Sequence, residues 1–557
     1  MHPTLRCLGR LVVVASFAVA SASAQQQPQE SSPPIAKPAW SLTGDLGAVG
    51  ELYSISGREN RRPNQTGRMF FRPTFTLADR YTIRSEFLLS TEGSSALARQ
   101  SINQYLVNPS WKWSQTRYSA RIGDFSDAYT PTTFNGVQVR GGGLAVQRER
   151  AHAAILGGRT KPATEGGADG GSFRQALFAG QAGVGDARRS LSAFVLYAAD
   201  DGGSLPVPPD TAGAIDSTEV GTAVNPYSVT PQKNFVVATW GQSTLLDNRL
   251  SLAAEVGRSS YTRDRRAADA GGGRVDYALD TKARYVRKRY ELTGGYRRIG
   301  PGFVSLGVAS MHADQQDLTS GGILRIGTSG ALRAQVSRQN DNLSRQKAAT
   351  TVRYRYVSTL NLRPTRLWTA TISGNYVTMA NHLADDSARV DFSAWILGMN
   401  HAIALGHRSL VQSLSFGYTA QGSGDDNPLR RNSDALSHTG QVQAMVRVLR
   451  NLSAAPAIGI ASVQTGLQAW RTTMTYGLAV QHRGMGQRLT SSLSGTASTA
   501  AGDENIPATL GSRYTMTRSD ALELRVAFNR FRGAARPTAG ETNYEESTSS
   551  FGWSHRF

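Results

Sequence analysis

The chain has 557 residues, a formal net charge of +20, 39% hydrophobic residues, 57 glycines and one cysteine. A single cysteine excludes a disulfide framework, and no stretch approaches the roughly 18 uncharged apolar residues of a membrane-spanning helix. Negative mean hydropathy with abundant glycine and few helix-forming runs reads as all-β, and it suits a barrel in which every second strand residue faces water.

Taken from the amino terminus, Met1–Ala24 has the parts of a secretory signal. Arg6 and Arg10 are its charged region, Leu11 to Ala20 its short apolar region, and Ala22-Ser23-Ala24 its small-residue cleavage site. Cleavage removes two arginines and no acid, which takes +20 to +18, and it also removes Cys7. Gln25–Ala39, rich in Gln, Pro and Ser, reads as a disordered periplasmic lead. The expected barrel fills 40–557, with no room ahead of it for a separate soluble module.

From Trp40 onward, segments with a period of two recur between turn signals. In Arg274 to Tyr285, Val275, Tyr277, Leu279 and Ala283 share one face, and Arg274, Asp276, Asp280, Lys282 and Arg284 share the other. Leu250, Leu252, Ala254 and Val256 oppose Ser251, Ala253 and Glu255; Leu522, Leu524, Val526 and Phe528 oppose Glu523, Arg525 and Asn529. Charge alternating with apolar surface suits a wall between lipid and water. Spans of about ten residues plus connections predict a single transmembrane antiparallel barrel of roughly 22–26 strands.

Ala78-Asp79-Arg80 and Leu246-Asp247-Asn248 read as tight hairpins. Residues 161–172, 200–232, 265–273, 421–437 and 533–541 read as long extracellular loops. Tyr53, Trp111, Trp113, Tyr197, Trp240 and Trp470 lie near segment ends, where interfacial girdles form.

Two stretches depart from the simple pattern. Ile122 to Gly143 carries Gly123, Asp124, Phe125 and Gly136, then Arg140 followed by Gly141, Gly142 and Gly143. Gly300 to Gly307 (GPGFVSLG) is the second. Glycines let a wall bend or another backbone approach closely. Each stretch fits an inward-folded constriction or a turn with a bulge, the latter being the simpler reading.

No motif marks an active site. His382, His401, His407 and His438 stand near serines without a nucleophile pattern, and Asp200-Asp201 and Asp425-Asp426 lack the ligand spacing of a calcium loop. No enzyme activity, metal or cofactor is expected. The basic excess is spread along the chain, which suits lipopolysaccharide phosphates outside or an anionic cargo inside. The alternative is a charge ladder in which Arg274, Lys282, Arg284 and Arg525 pair with Asp276, Asp280 and Glu523. Nucleic acid is not an expected partner.

The last residues put Phe551, Trp553, His555 and Phe557 on one strand face. A terminal strand ending in Phe resembles the closing strand of bacterial outer-membrane barrels, and the resemblance implies recognition by the barrel-assembly machinery and a seam to the first strand. Gly123-Asp124-Phe125, Tyr129, Pro131, Asn135-Gly136 and Arg140-Gly141-Gly142 are similar to a recurring signature of large outer-membrane β-barrels of Gram-negative bacteria. Pro231-Gln232-Lys233-Asn234, Glu255, Tyr261 to Asp264, GPGFVSLG and Asp341-Asn342-Leu343 resemble later blocks of such proteins, and the Gly-Asp-Phe piece is similar to the start of usher barrels. The resemblance implies an outer-membrane location, with lipid, lipopolysaccharide and a periplasmic or surface protein as partners. The expected function is a conduit or channel for a large or anionic solute or an exported polymer or protein. A small-solute porin, or a structural surface-display barrel with a closed lumen, is the alternative.

Overall fold

A computed structural model describes residues 39–91, 103–164, 171–205, 229–266, 273–406, 409–430, 433–500, 502–533 and 543–557. The proposed signal peptide, nearly all of the lead, and much of the loops 161–172, 200–232, 265–273 and 533–541 lie outside them.

The chain forms β1 (Trp40–Ser56), β2 (Gln65–Leu77), β3 (Tyr81–Ser90), β4 (Gln104–Trp113), β5 (Thr116–Thr130) and β6 (Phe134–Arg148). Then come β7 (Ala151–Lys161), β8 (Gln175–Gly185), β9 (Arg189–Asp200), β10 (Lys233–Leu245) and β11 (Leu250–Thr262). They are followed by β12 (Arg274–Val286), β13 (Tyr290–Ile299), β14 (Gln315–Ile326), β15 (Gly330–Asp341) and β16 (Val352–Leu362). Ten more strands end with β25 (Asp520–Arg532) and β26 (Tyr544–Arg556), giving 26 among the described residues.

Each strand pairs antiparallel with the next, and β26 returns to β1 from Asp45↔Arg556 to Ser56↔Glu545. The sheet is therefore a closed antiparallel β-barrel, and closure removes the unpaired edges that bilayer hydrocarbon would not tolerate. No helix among the described residues is long and apolar enough to cross a membrane.

The side-chain period of two decides which surface meets lipid. On β9, Leu191, Val195 and Tyr197 are 56%, 37% and 43% exposed, while Ser192, Phe194, Leu196 and Ala198 between them are buried. On β11 and β12 the exposed face carries Leu252, Val256 and Tyr277; the opposite face carries Glu255, Asp280, Lys282 and Arg284. A continuous apolar surface facing outward and a charged one facing inward is the arrangement of a membrane-spanning barrel. Two of the girdle candidates fall on the inner side: Tyr53 is buried beneath Arg62, and Trp240 shares its face with buried Val236 and Ala238. Tyr53 lies near the end of β1 as expected, whereas Trp240 sits in the middle of β10, and the parity of both puts them on the lumenal face.

The two rims differ. Connections after even-numbered strands are short: the chain reverses at Ala78-Asp79 and at Leu246-Asp247-Asn248, all with φ between 50° and 66°. Most connections after odd-numbered strands are longer, such as Gly300 to Asp314 between β13 and β14; the turns after β5 and β23 are short. The connection expected over 421–437 is shorter, because one strand runs to Asp425 and the next begins at Ala435.

Candidate functional site: a hairpin and a loop inside the lumen

The β5–β6 hairpin is longer than the wall beside it. β4 stays paired with β5 only as far as Leu106↔Gly123, and β7 with β6 only as far as Arg140↔Arg159. β5 and β6 continue together to Thr130↔Phe134, with register shifts around Ala128. The tip therefore parts from the wall.

Gly123 and Gly141 lie at this split. Gly123 has φ +117°, and a Cβ there would stand 1.8 Å from the Tyr105 carbonyl oxygen; one on Gly141 would stand 2.1 Å from the Gly157 carbonyl oxygen. Gly142 and Gly143 continue the run in the paired part of β6. Where the ladder ends, Asp124 accepts a hydrogen bond from the Tyr105 amide at 3.2 Å. It also pairs with Arg140 at 2.6 and 3.1 Å. Arg140 lies 5.1 Å from the Tyr105 ring centroid and donates to the Asn103 carbonyl at 3.2 Å. The ion pair thus satisfies backbone groups that the departing hairpin would leave open.

Beyond the split, the tip lies on the inner wall. Phe125, Phe134 and Val139 are buried with Leu156, Leu177, Phe194, Leu196, Val236 and Ala238 from β7 to β10, and with Phe303 from the Gly300–Asp314 loop. Phe134 and Phe303 have no exposed surface. The wall residues share the face of Glu255 and Asp280, so this apolar cluster stands inside the barrel. Burying an aromatic side chain of this size stabilises by roughly 1.5–3 kcal/mol, so several such residues hold the tip against its backbone entropy.

Polar contacts fix its register. Glu255 on β11 accepts from the Thr132 amide at 2.8 Å and the Thr133 hydroxyl at 2.9 Å. The Asn135 amide donates to the Gly307 carbonyl at 2.9 Å, and the Ser305 hydroxyl donates to the Thr133 carbonyl at 2.5 Å. Asn234 donates to the Val304 carbonyl at 2.9 Å and accepts from the Leu306 amide at 3.0 Å. Asp276 accepts from the Gly302 amide at 2.7 Å. At the loop's far end, Asp314 accepts from the Leu343 amide at 2.7 Å and pairs with Lys347 at 2.8 Å. Burial pushes the Asp314 carboxyl up, but Lys347 and the Leu343 amide outweigh it and hold the group below the usual carboxylate range.

The stretches singled out in the sequence thus meet: Ile122 to Gly143, Asn234, Glu255, GPGFVSLG and, through Asp314, Asn342-Leu343. The hairpin is both bulged and folded inward. A cleft of about 580 Å³ remains between its base and the wall, lined by Arg121, Asp124, Asp127, Gly136 and Gln138 among others. Thr130, Thr132, Thr133 and Phe134 carry the contacts at the tip, and only an unremarkable Pro-Thr-Thr turn announced them.

The expected lumen charges are dispersed. Lys282 pairs with Asp280 at 3.2 Å, as a charge ladder would have it, whereas Arg284 makes a two-pronged pair with Glu291 at 2.7 and 2.8 Å. Asp276 is engaged with the loop, and Glu523 pairs with its cross-strand neighbour Arg513 at 3.0 Å and not with Arg525, two residues on along β25. Arg274 begins β12, at the long-loop rim. Asp200 binds Gln175 at 2.8 Å, Asp201 pairs with Arg174 at 2.5 Å and Asp425 with Arg430 at 3.5 Å. His401 lies against Trp368 and Phe416, and His438 against Tyr418 and Trp470; His407 is outside the described residues.

At the seam, Phe551 is 56% exposed, and Trp553, His555 and Phe557 stack along the same outward face. Phe557 exchanges two backbone hydrogen bonds with Gly44, at 3.0 and 3.1 Å.

No family model and no curated protein sequence matches this chain. Among solved structures it is similar to a chain of the E. coli P pilus tip assembly intermediate PapC-PapD-PapK-PapG, at 11% identity and a TM-score of 0.43. That match covers 91% of this chain and 60% of the other, so this chain spans about three-fifths of its length. The Pseudomonas aeruginosa siderophore receptor PirA matches at 11% identity and a TM-score of 0.40, covering 93% and 80%. The P pilus usher (PapC) translocation pore matches at 10% and 0.27, covering 92% and 98%. These neighbours are outer-membrane barrels; the fold assignment of this chain rests on its own closed ladder and apolar outer face.

Proposed function

We propose that this chain is an outer-membrane passage for a large or anionic solute or an exported polymer, narrowed from within by the β5–β6 tip and the Gly300–Asp314 loop. The observation that carries the reading is the tip itself, peeled from its own neighbours and seated on β7 to β11 through a shared apolar cluster and Glu255. A barrel needs no such inward element to close its wall. About 16–18 strands already enclose an aqueous channel, and 26 enclose a wider one that an internal element can restrict. In this orientation the short turns face the periplasm and the long loops the outside.

The anion preference rests on the wall beyond the tip. Arg333, Arg353 and Arg355 share the face of Ser337 and Gln339 on β15 and β16, and none has a carboxylate at ion-pair distance among the described residues. Positive charge in excess on a confined wall concentrates anions. A periplasmic or surface protein would engage the rims.

Planar-bilayer recording tests the reading. The intact protein should show small, intermittent conductance, and replacing Ser126–Gln138 with a short Gly-Ser turn should give a large, steady, anion-preferring one. Steady large conductance in both proteins would make the chain an open porin; none in either would make it a closed structural barrel.

A further inference from the structure

On the outer surface, β7 to β11 present cations where the apolar belt meets the long-loop rim. The register aligns Lys233↔Ala199, Ala199↔Ala176 and Ala176↔Arg159, placing Lys233 and Arg159 on one row three strands apart. Strand spacing makes that separation about 14 Å. Lys161 lies past Arg159, and all three cations are exposed and outward. Between them Ala176 and Ala199 leave a shallow gap. Two residues further into the belt come Phe235, Tyr197 and Phe178, all exposed. Beneath them lies Arg258, level with Val237, Val195 and Tyr277. The Lys233 ammonium leans over β9, 5.8 Å from the Tyr197 ring centroid.

These cations have no carboxylate at ion-pair distance among the described residues. In the loops above, Asp201 is taken by Arg174 and Asp264 lies beside Arg266. The acids of β11 and β12, Glu255, Asp276 and Asp280, face the lumen. A guanidinium such as Arg258, set among Val237, Val195 and Tyr277, is costly to leave bare in hydrocarbon. Its long stem can raise the charge toward the rim, past the aromatic row. An anion that arrives with acyl chains beside Phe178, Tyr197 and Phe235 can neutralise such a group.

We infer that this face is a binding site for a phosphorylated, acylated glycolipid of the outer leaflet. Arg159, Lys161 and Lys233 hold phosphate over the Ala176–Ala199 gap, the aromatic row packs on the acyl chains, and Arg258 reaches up from below. The inference rests on the outer-membrane placement proposed above, and it is independent of what passes through the lumen.

The test uses full-length detergent-solubilised protein, native mass spectrometry and thermal unfolding, with bisphosphorylated lipid A as probe. Lipid A should bind stoichiometrically and raise the unfolding midpoint. The R159Q/K233Q variant should bind at least tenfold more weakly, while K288Q/R289Q, at the opposite rim, binds as the parent does. Heat-modifiable migration confirms that each variant is folded, and dephosphorylated lipid A offered to the parent repeats the test without any substitution. Equal binding of phosphorylated and dephosphorylated lipid A would overturn the site while leaving the membrane placement intact. Equal stabilisation by inorganic phosphate, or unchanged binding by R159Q/K233Q, would overturn it as well.

Discussion

Glu255 is a buried carboxylate whose partners come from 122 and 123 residues earlier in the chain. On its own strand it reads as one more polar residue of an alternating pattern, opposite Ala254 and Val256. Its consequence depends on the Thr132 amide and the Thr133 hydroxyl, which have no water to turn to once the tip is seated. Leaving a buried donor without a partner costs about 1–3 kcal/mol. Replacing Glu255 with Ala should therefore loosen the tip by about 2–6 kcal/mol for the two donors together while sparing the wall. Hydrogen exchange should speed up by at least tenfold at Thr132 to Asn135 and stay unchanged at Leu191 to Ala198. Uniform protection in the variant would mean that the apolar cluster alone holds the tip.

Among the elements, the Gly300–Asp314 loop is held at both ends, by Asp276 on Gly302 and by the Asp314–Lys347 clip to the next outer loop. The clip has a defined pH dependence. Because the folded carboxyl of Asp314 lies below its unfolded value, its contribution is fully present above about pH 4 and is lost as pH falls through the folded value. Lys347 is raised by Asp314 and Asp341, so its contribution is present below the unfolded lysine value and is lost as pH rises through the raised one. Acidification should thus raise hydrogen exchange at Leu306 to Asp314. Replacing Asp314 with Asn should give that faster exchange already at neutral pH and flatten the acid response; an acid response that persists in full would place the sensitive group elsewhere. The glycine run of β6 was legible as a place where the wall bends. Where the bend leads was not, because β9, β10 and β11, which receive the tip, are set by closure of the ladder and not by neighbouring residues.

For the whole molecule, closure depends on a seam formed by the first and last strands, 12 register pairs long, and continued by Phe557. Deleting Phe557 removes two backbone hydrogen bonds to Gly44 and a ring contact with Phe71 at 6.0 Å. At about 1 kcal/mol net for each bond, the deletion should lower the heat-modifiable unfolding midpoint and the yield of closed barrel. An unchanged midpoint and yield would remove Phe557 from the seam. The strand count lies at the top of the expected range, and the alternation that produced it held on both halves of the chain: Leu522, Leu524 and Phe528 face out as Leu252 and Val256 do.

The sequence by itself determined an all-β transmembrane barrel and the short turns, because a period of two and local turn chemistry act between residues adjacent in the chain. It also marked Ile122 to Gly143 and GPGFVSLG as departures from a plain wall. Only the tertiary structure decided that both fold into the lumen, that Arg284 pairs with Glu291, and that Tyr53 and Trp240 face inward. Those outcomes depend on which strands closure brings opposite one another, and on packing between segments more than a hundred residues apart, which no local pattern encodes.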